Sequence, residues 1–173
     1  MSPVEPQASQ PQHGAASFDN PTRASVRQGP AEGPGRRLLA RAFEDCRADE
    51  GTLWLLSADR EAMDGALNHG KTPQVMEALS VPITQSVVGM VASTGVGASI
   101  GPDDYHHPAP TQAGAADTLA MIAVPVLVRG QLVGVLSAIN PRGGGLFSAA
   151  DLETLSFNAY LLGLILADTH GLS

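Results

Sequence analysis

The chain has 173 residues, 43% of them hydrophobic, which suffices for one domain with a proper core and falls short of two domains of ordinary size. Ten Lys and Arg against seventeen Asp and Glu leave a net charge of -7. Nucleic acid and an anionic membrane surface are therefore not expected as main partners, since both need a basic footprint.

Residues 1–34 are rich in Pro, Gln, Ser, Ala and Gly and lack apolar periodicity. They are expected to form a disordered tail, because such a stretch buries too little surface to offset its ordering entropy. The ordered domain is expected over 35–173. "RRLLARAFEDCRA" sets Leu38, Leu39, Ala42, Phe43 and Cys46 on one stripe at helical spacing. Cys46 is the sole cysteine. It is expected to pack as a small hydrophobe, and one cysteine rules out a disulfide framework and fits a reducing compartment. A cytoplasmic protein follows, with no signal sequence, and Pro125, Gly134 and charges interrupt each candidate membrane span.

"GTLWLLS" (51–57) reads as a strand with the single Trp, Trp54, in its core. "EAMDGALNHG" (61–70) reads as a second strand, with Met63 and Leu67 on one face and His69 in the turn at its end. A short helix is expected within 71–79, a second helix over 85–93 ending near Gly95, and a strand at "GASI". The polar connection 101–117 contains "PDDYHHPAP", and loops of that length are usually functional or mobile. "TLAMIAVPVLVRGQLVGVLSAIN" (118–140) predicts a β-hairpin turning at Arg129-Gly130, with Pro125 at an edge or an irregularity.

"NPRGGGLFSAAD" has the look of a phosphate cradle, but no Lys-Ser/Thr follows the glycines and the GxGxxG spacing is absent. Ser148 with Asp151 instead makes a capping box, and Phe147 with Leu152 a hydrophobic staple. The glycines are then a bend feeding a helix over 149–169. That helix carries one apolar stripe of Leu152, Leu155, Ala159, Leu162 and Leu166. A second apolar face holds Phe157, Leu161, Leu164 and Ile165. A helix apolar on two faces is either fully buried or packs a partner on its second face, and at the end of a small domain a partner is expected.

Taken in succession, "GTLWLL", "SVVGMVASTG", a variable loop, "AVPVLVRGQLVGVLSAIN" and "FSAADLETL" resemble a GAF domain. The most specific part runs from Val124 to Asp151. The resemblance implies an α+β fold: an antiparallel sheet of five or six strands, N- and C-terminal helices on one face, and a ligand pocket under the variable loop on the other. It also implies a regulatory role without catalysis, and dimerisation through the terminal helices, with Phe157, Leu161, Leu164 and Ile165 at the interface. The candidate ligand contacts are Tyr105, His106, His107, Ser86 and Met90. Ala120, Ala123, Gly134 and Ala138 are small enough to leave room for a cavity.

Three ligand classes of the family lack their residues. Cyclic-nucleotide binders resemble one another in an Asn-Lys/Arg…Phe-x-x-x-Asp-Glu signature. Here Asn140, Phe147 and Asp151 match, while Pro141 and Leu152 replace the cation and the Glu. Bilin binders need a loop cysteine, and the loop has none. Reducers of free methionine sulfoxide use several cysteines. "HHPAP" is similar to the loop of haem-binding GAF sensor kinases, and a haem-binding redox or gas sensor is the alternative carried by His106 and His107. Exposure of both to water is the commoner fate of such a pair. No metal site is expected from Asp103, Asp104, His106 and His107, whose adjacent side chains diverge. The cofactor is unknown. The expected function is a non-catalytic sensory module that binds a small ligand or a partner protein. With nothing after Ser173 to act as output, it would signal as a dimer to another protein in trans. A degenerate GAF serving as a dimeric adaptor without ligand is the other reading.

Overall fold

The computed structural model describes residues 33–71, 73–104 and 118–169. The expected tail, except its last two residues, and Tyr105, His106 and His107 lie outside them. The described chain begins with α1 (Pro34–Asp45), β1 (Ala48–Leu56), β2 (Ala62–His69), α2 (Pro73–Glu77) and β3 (Ser80–Pro82). A 3-10 turn at Ile83–Gln85 leads into α3 (Val87–Thr94) and β4 (Ala98–Ile100). The hairpin β5 (Met121–Val128) and β6 (Gln131–Pro141) then feeds α4 (Ala149–Thr169). The six strands form one antiparallel sheet in the order β3-β2-β1-β6-β5-β4.

β1–β2 and β5–β6 are local hairpins, β3 and β4 add to their outer edges, and β1 on β6 joins the halves. The β5–β6 turn has positive φ at both Arg129 (52°) and Gly130 (78°), the pair that a two-residue type I′ turn needs. Pro125 pairs with Val135 on its inner side, beyond the stretch Met121–Ala123 that β4 covers, so its missing N–H costs the ladder nothing on the outer side.

Two apolar layers sandwich the sheet. On one side α1 and α4 pack side by side over Leu53, Leu55, Ile122, Val124, Val126 and Leu136. Leu155, Ala159, Leu162 and Leu166 supply the core stripe of α4, with Leu152 partly buried beside it, as the spacing predicts. Fully burying a Leu side chain contributes about 1.5–3 kcal/mol, so this stripe alone anchors the helix. On the other side α2 and α3 close over Trp54, Met63, Met121, Ala123 and Val135 through Met76, Val87, Val88 and Val91.

Two expectations are corrected. Met63 and Leu67 do not share a face: the β1–β2 register shifts between Leu53 and Trp54, and the bulge turns Leu67 to the α1–α4 layer while Met63 stays under α3. The small residues meant to leave room for a ligand do not converge either. Ala120 and Ala138 belong to the α1–α4 layer, Ala123 to the α3 layer, and a Cβ on Gly134 would stand 2.2 Å from the Trp54 carbonyl oxygen. Gly134 serves the close approach of β6 to β1.

The glycine run is a bend. Gly143, Gly144 and Gly145 have φ of 91°, 82° and 85°, which side chains disfavour and glycine adopts freely. Ser148 and Asp151 form the capping box: Ser148 N–H donates to Asp151 Oδ2 at 2.7 Å, and Asp151 N–H returns to Ser148 Oγ at 3.2 Å. Phe147 is buried in the same cluster that Leu152 joins. By length and composition alone Ala149–Asp168 of α4 is apolar enough to cross a membrane, a segment that the expectation of no candidate span overlooked. One stripe of it lies in the core described above.

Candidate functional site

The face of the sheet opposite α1 and α4 carries a polar row beside the apolar one. A Cβ on Gly51 would meet the Phe43 ring of α1 at 2.1 Å, so Gly51 faces the α1–α4 layer. Alternation along β1 then turns Glu50, Thr52 and Trp54 to the α3 side. Thr52 pairs across with Asn68 of β2 and with Ser137 of β6. All three, and Glu50, are buried.

Hydrogen bonds tie the row together. Trp54 Nε1–H donates to Ser137 Oγ at 2.9 Å, and the Ser137 hydroxyl approaches the Thr52 carbonyl at 3.5 Å. Asn68 Nδ2–H₂ donates to Thr52 Oγ1 at 2.8 Å and to the Gly51 carbonyl at 3.1 Å. The Asn68 backbone N–H donates to Glu77 Oε1 of α2 at 3.0 Å, and Arg36 of α1 reaches the same carboxylate at 3.5 Å. Neither Glu50 nor Asn68 stood out in the sequence. The signal for Glu50 was there, since "EGTLW" alternates Glu50, Thr52 and Trp54 at the two-residue period of one strand face. For Asn68 the bulge in β2 broke the pattern.

The predicted contacts fare differently. Ser86 is spent on structure: it caps α3 by accepting from Gly89 N–H at 3.0 Å and donates to the Pro82 carbonyl at 3.1 Å. Met90 is 45% exposed, on the side of α3 away from the buried Val87, Val88 and Val91. Asp104 accepts from Gly101 N–H and closes its own turn. Among the described residues no group of three or more His, Cys, Asp or Glu could hold a metal ion. An open cleft of about 470 Å³ lies between α1 and the β2 end, lined by Arg36, Arg37, Leu39, Leu67 and His69 among others.

The residues that match the cyclic-nucleotide signature are all engaged with the fold. Asn140 Oδ1 accepts from Leu119 and Ala120 N–H at 2.8 and 3.2 Å, Phe147 is in the core, and Asp151 caps α4. Arg142, next to Pro141, makes a two-pronged ion pair with Glu44 of α1, both contacts 2.8 Å. The Arg142 guanidinium holds the Glu44 carboxyl below its ordinary range. Cys46 is buried with its thiol 3.5 Å from the Asp151 carbonyl, and burial first, then Asp151 and Asp45, pushes its pKa up to about 12.

On α4, the second apolar face points outward. Phe157 is 61%, Tyr160 61% and Leu164 51% exposed, and Leu161 and Ile165 are half-buried beside them. Tyr160 joins the face without having been counted on it.

The family model for the GAF domain matches residues 35–166. Among solved structures, the GAF-B domain of DevS from Mycobacterium smegmatis is similar at 19% identity and TM-score 0.65, over 87% of this chain and 99% of that one. The GAF domain of an Acinetobacter phosphoenolpyruvate-protein phosphotransferase is similar at 18% identity and TM-score 0.67, over 88% and 95%. A type II free methionine-R-sulfoxide reductase from Thermoplasma acidophilum is similar at 13% identity and TM-score 0.66, over 85% and 96%. By sequence, no curated protein matches the chain.

Proposed function

Because the chain belongs to the GAF family, whose members are sensory and regulatory domains, we propose that it is a non-catalytic module that takes an input on the α3 side of its sheet. It passes that input on through a homodimer built on α4 and acts on another protein in trans. The carrying observation is the outward face of α4, where Phe157, Tyr160 and Leu164 are each more than half exposed on a helix whose other face is core. Contiguous apolar surface of this kind marks an interaction site. The α1–α4 layer puts α1 beside it, so a partner helix would be flanked on one side.

Chemistry of the reductase type is disfavoured by the thiol. The only cysteine is buried and its pKa is far above neutrality, so it offers neither a nucleophile nor a resolving partner. The adaptor reading, with no ligand at all, has one observation in its favour: Trp54, Met63, Val91 and Val135 fill the centre of the α3 layer with their own side chains.

Light scattering on the parent chain and on the double variant Leu161→Glu, Leu164→Glu tests the dimer. The parent should be a dimer at micromolar concentration and the variant a folded monomer, because each substitution would leave a charge unpaired in an apolar seam. A monomeric parent would remove the homodimer and leave α4 to a different protein.

A further inference from the structure

Two buried acceptors on the α3 side of the sheet have nothing to accept from. Glu50 Oε2 and Asn68 Oδ1 are sealed from solvent and have no hydrogen-bond partner, in residues that are each 5% exposed. Buried polar groups are nearly always met by a partner, and a buried carboxylate left alone is the costlier case. The two are close. Asn68 stands directly opposite Thr52, and Glu50 precedes Thr52 by two residues on the same face, which makes them diagonal neighbours about 7–8 Å apart at Cα.

The Asn68 amide is fixed in orientation. Its Nδ2 meets the Gly51 carbonyl, which can only accept, so Oδ1 is the atom left over and a flip is ruled out. Gly70 packs close against the Glu50 carboxyl, so that a Cβ there would come within 2.8 Å of Oε2. None of the ion pairs among the described residues includes Glu50.

We infer that Glu50 and Asn68 are the recognition pair for a small organic cation carrying N–H donors, a primary ammonium or a guanidinium. Both open atoms are acceptors and one carries negative charge, so an anionic ligand would be repelled and an apolar one would leave both unmet. Calcium or magnesium asks for six or more oxygens, and zinc for three or four ligands, which one carboxylate and one amide do not supply. An N–H cation satisfies each acceptor singly and neutralises the carboxylate at the same time. This rests on the proposed function only in that the module has a small-molecule input; it is independent of the dimer.

Trp54 gives a built-in probe, since it is the sole Trp and its indole N–H binds Ser137 one row along the same face. The full chain, labelled with ¹⁵N, is titrated with methylammonium and with methylguanidinium chloride, and with potassium chloride at equal ionic strength. The expected result is a saturable shift of the Asn68 side-chain amide and the Trp54 indole with at least one organic cation and not with potassium. Affinity should fall at least tenfold in Glu50→Gln. Should that variant not fold, Gly70→Ala, which crowds the same oxygen, carries the same expectation. No saturable shift with either cation, or equal shifts with potassium or in a folded variant, overturns the inference. Light scattering on the same samples keeps the two ideas apart: a monomer that binds the cation loses the dimer and retains this site, and a dimer without shifts does the reverse.

Discussion

Cys46 shows how burial, helped by the nearby carboxylates of Asp151 and Asp45, decides the fate of a reactive group. With its thiol pKa raised to about 12, almost none is thiolate at pH 8, and the thiolate is the form that reacts. A maleimide or iodoacetamide should therefore label the folded chain at a rate set by unfolding, and the rate should rise with urea in step with the melt. Fast labelling in native buffer would contradict the buried site. Glu44 makes the opposite case at the surface. Its folded pKa is depressed by Arg142, so the pair contributes stability above the ordinary carboxylate value of 4.5 and loses it as pH falls through the lower folded value. The difference in melting temperature between the parent and Glu44→Gln should thus be present at neutral pH and disappear below that value. It should be small, as surface pairs are, and shrink in salt.

Among elements, α4 shows most directly how residue chemistry sets an end. The reciprocal bonds of Ser148 and Asp151 satisfy N–H groups that the first turn leaves open, so Ser148→Ala should cost about 1 kcal/mol in a urea melt while leaving the fold intact. This cap, its glycine bend, the hairpin turn at Arg129-Gly130 and the core stripe of α4 were all legible in the sequence, because each depends on residues within a few positions of one another. The β2 bulge was not. It arises from pairing with β1, and one extra residue reverses the facing of Leu67 against every alternation count made from Met63. The candidate site suffered from the same blindness. Ser86 looked available in the sequence, yet its hydroxyl is consumed by α3 and Pro82. The paired acceptors Glu50 and Asn68 sit on different strands and meet only through register.

At the scale of the whole molecule, the succession of motifs resembled a GAF domain, and the family model bears that out over residues 35–166. The outward apolar face of α4 was legible too, since a helix apolar on two sides shows in the spacing without any knowledge of the sheet. What the sequence could not convey is how the two hairpin halves meet. β1 closes on β6, bringing Thr52 to Ser137 across 85 positions of chain. Closing a loop of that size costs only about 2 kcal/mol more than closing one of ten residues, so the penalty in stability is modest. In rate it is larger, because distant pairings must be found before they reward the search. The β1–β2 and β5–β6 ribbons can each condense early and wait. The seam between them is then the slow step of folding, and a chain caught before that step shows both open ribbon edges, β1 and β6, to its neighbours in a crowded solution.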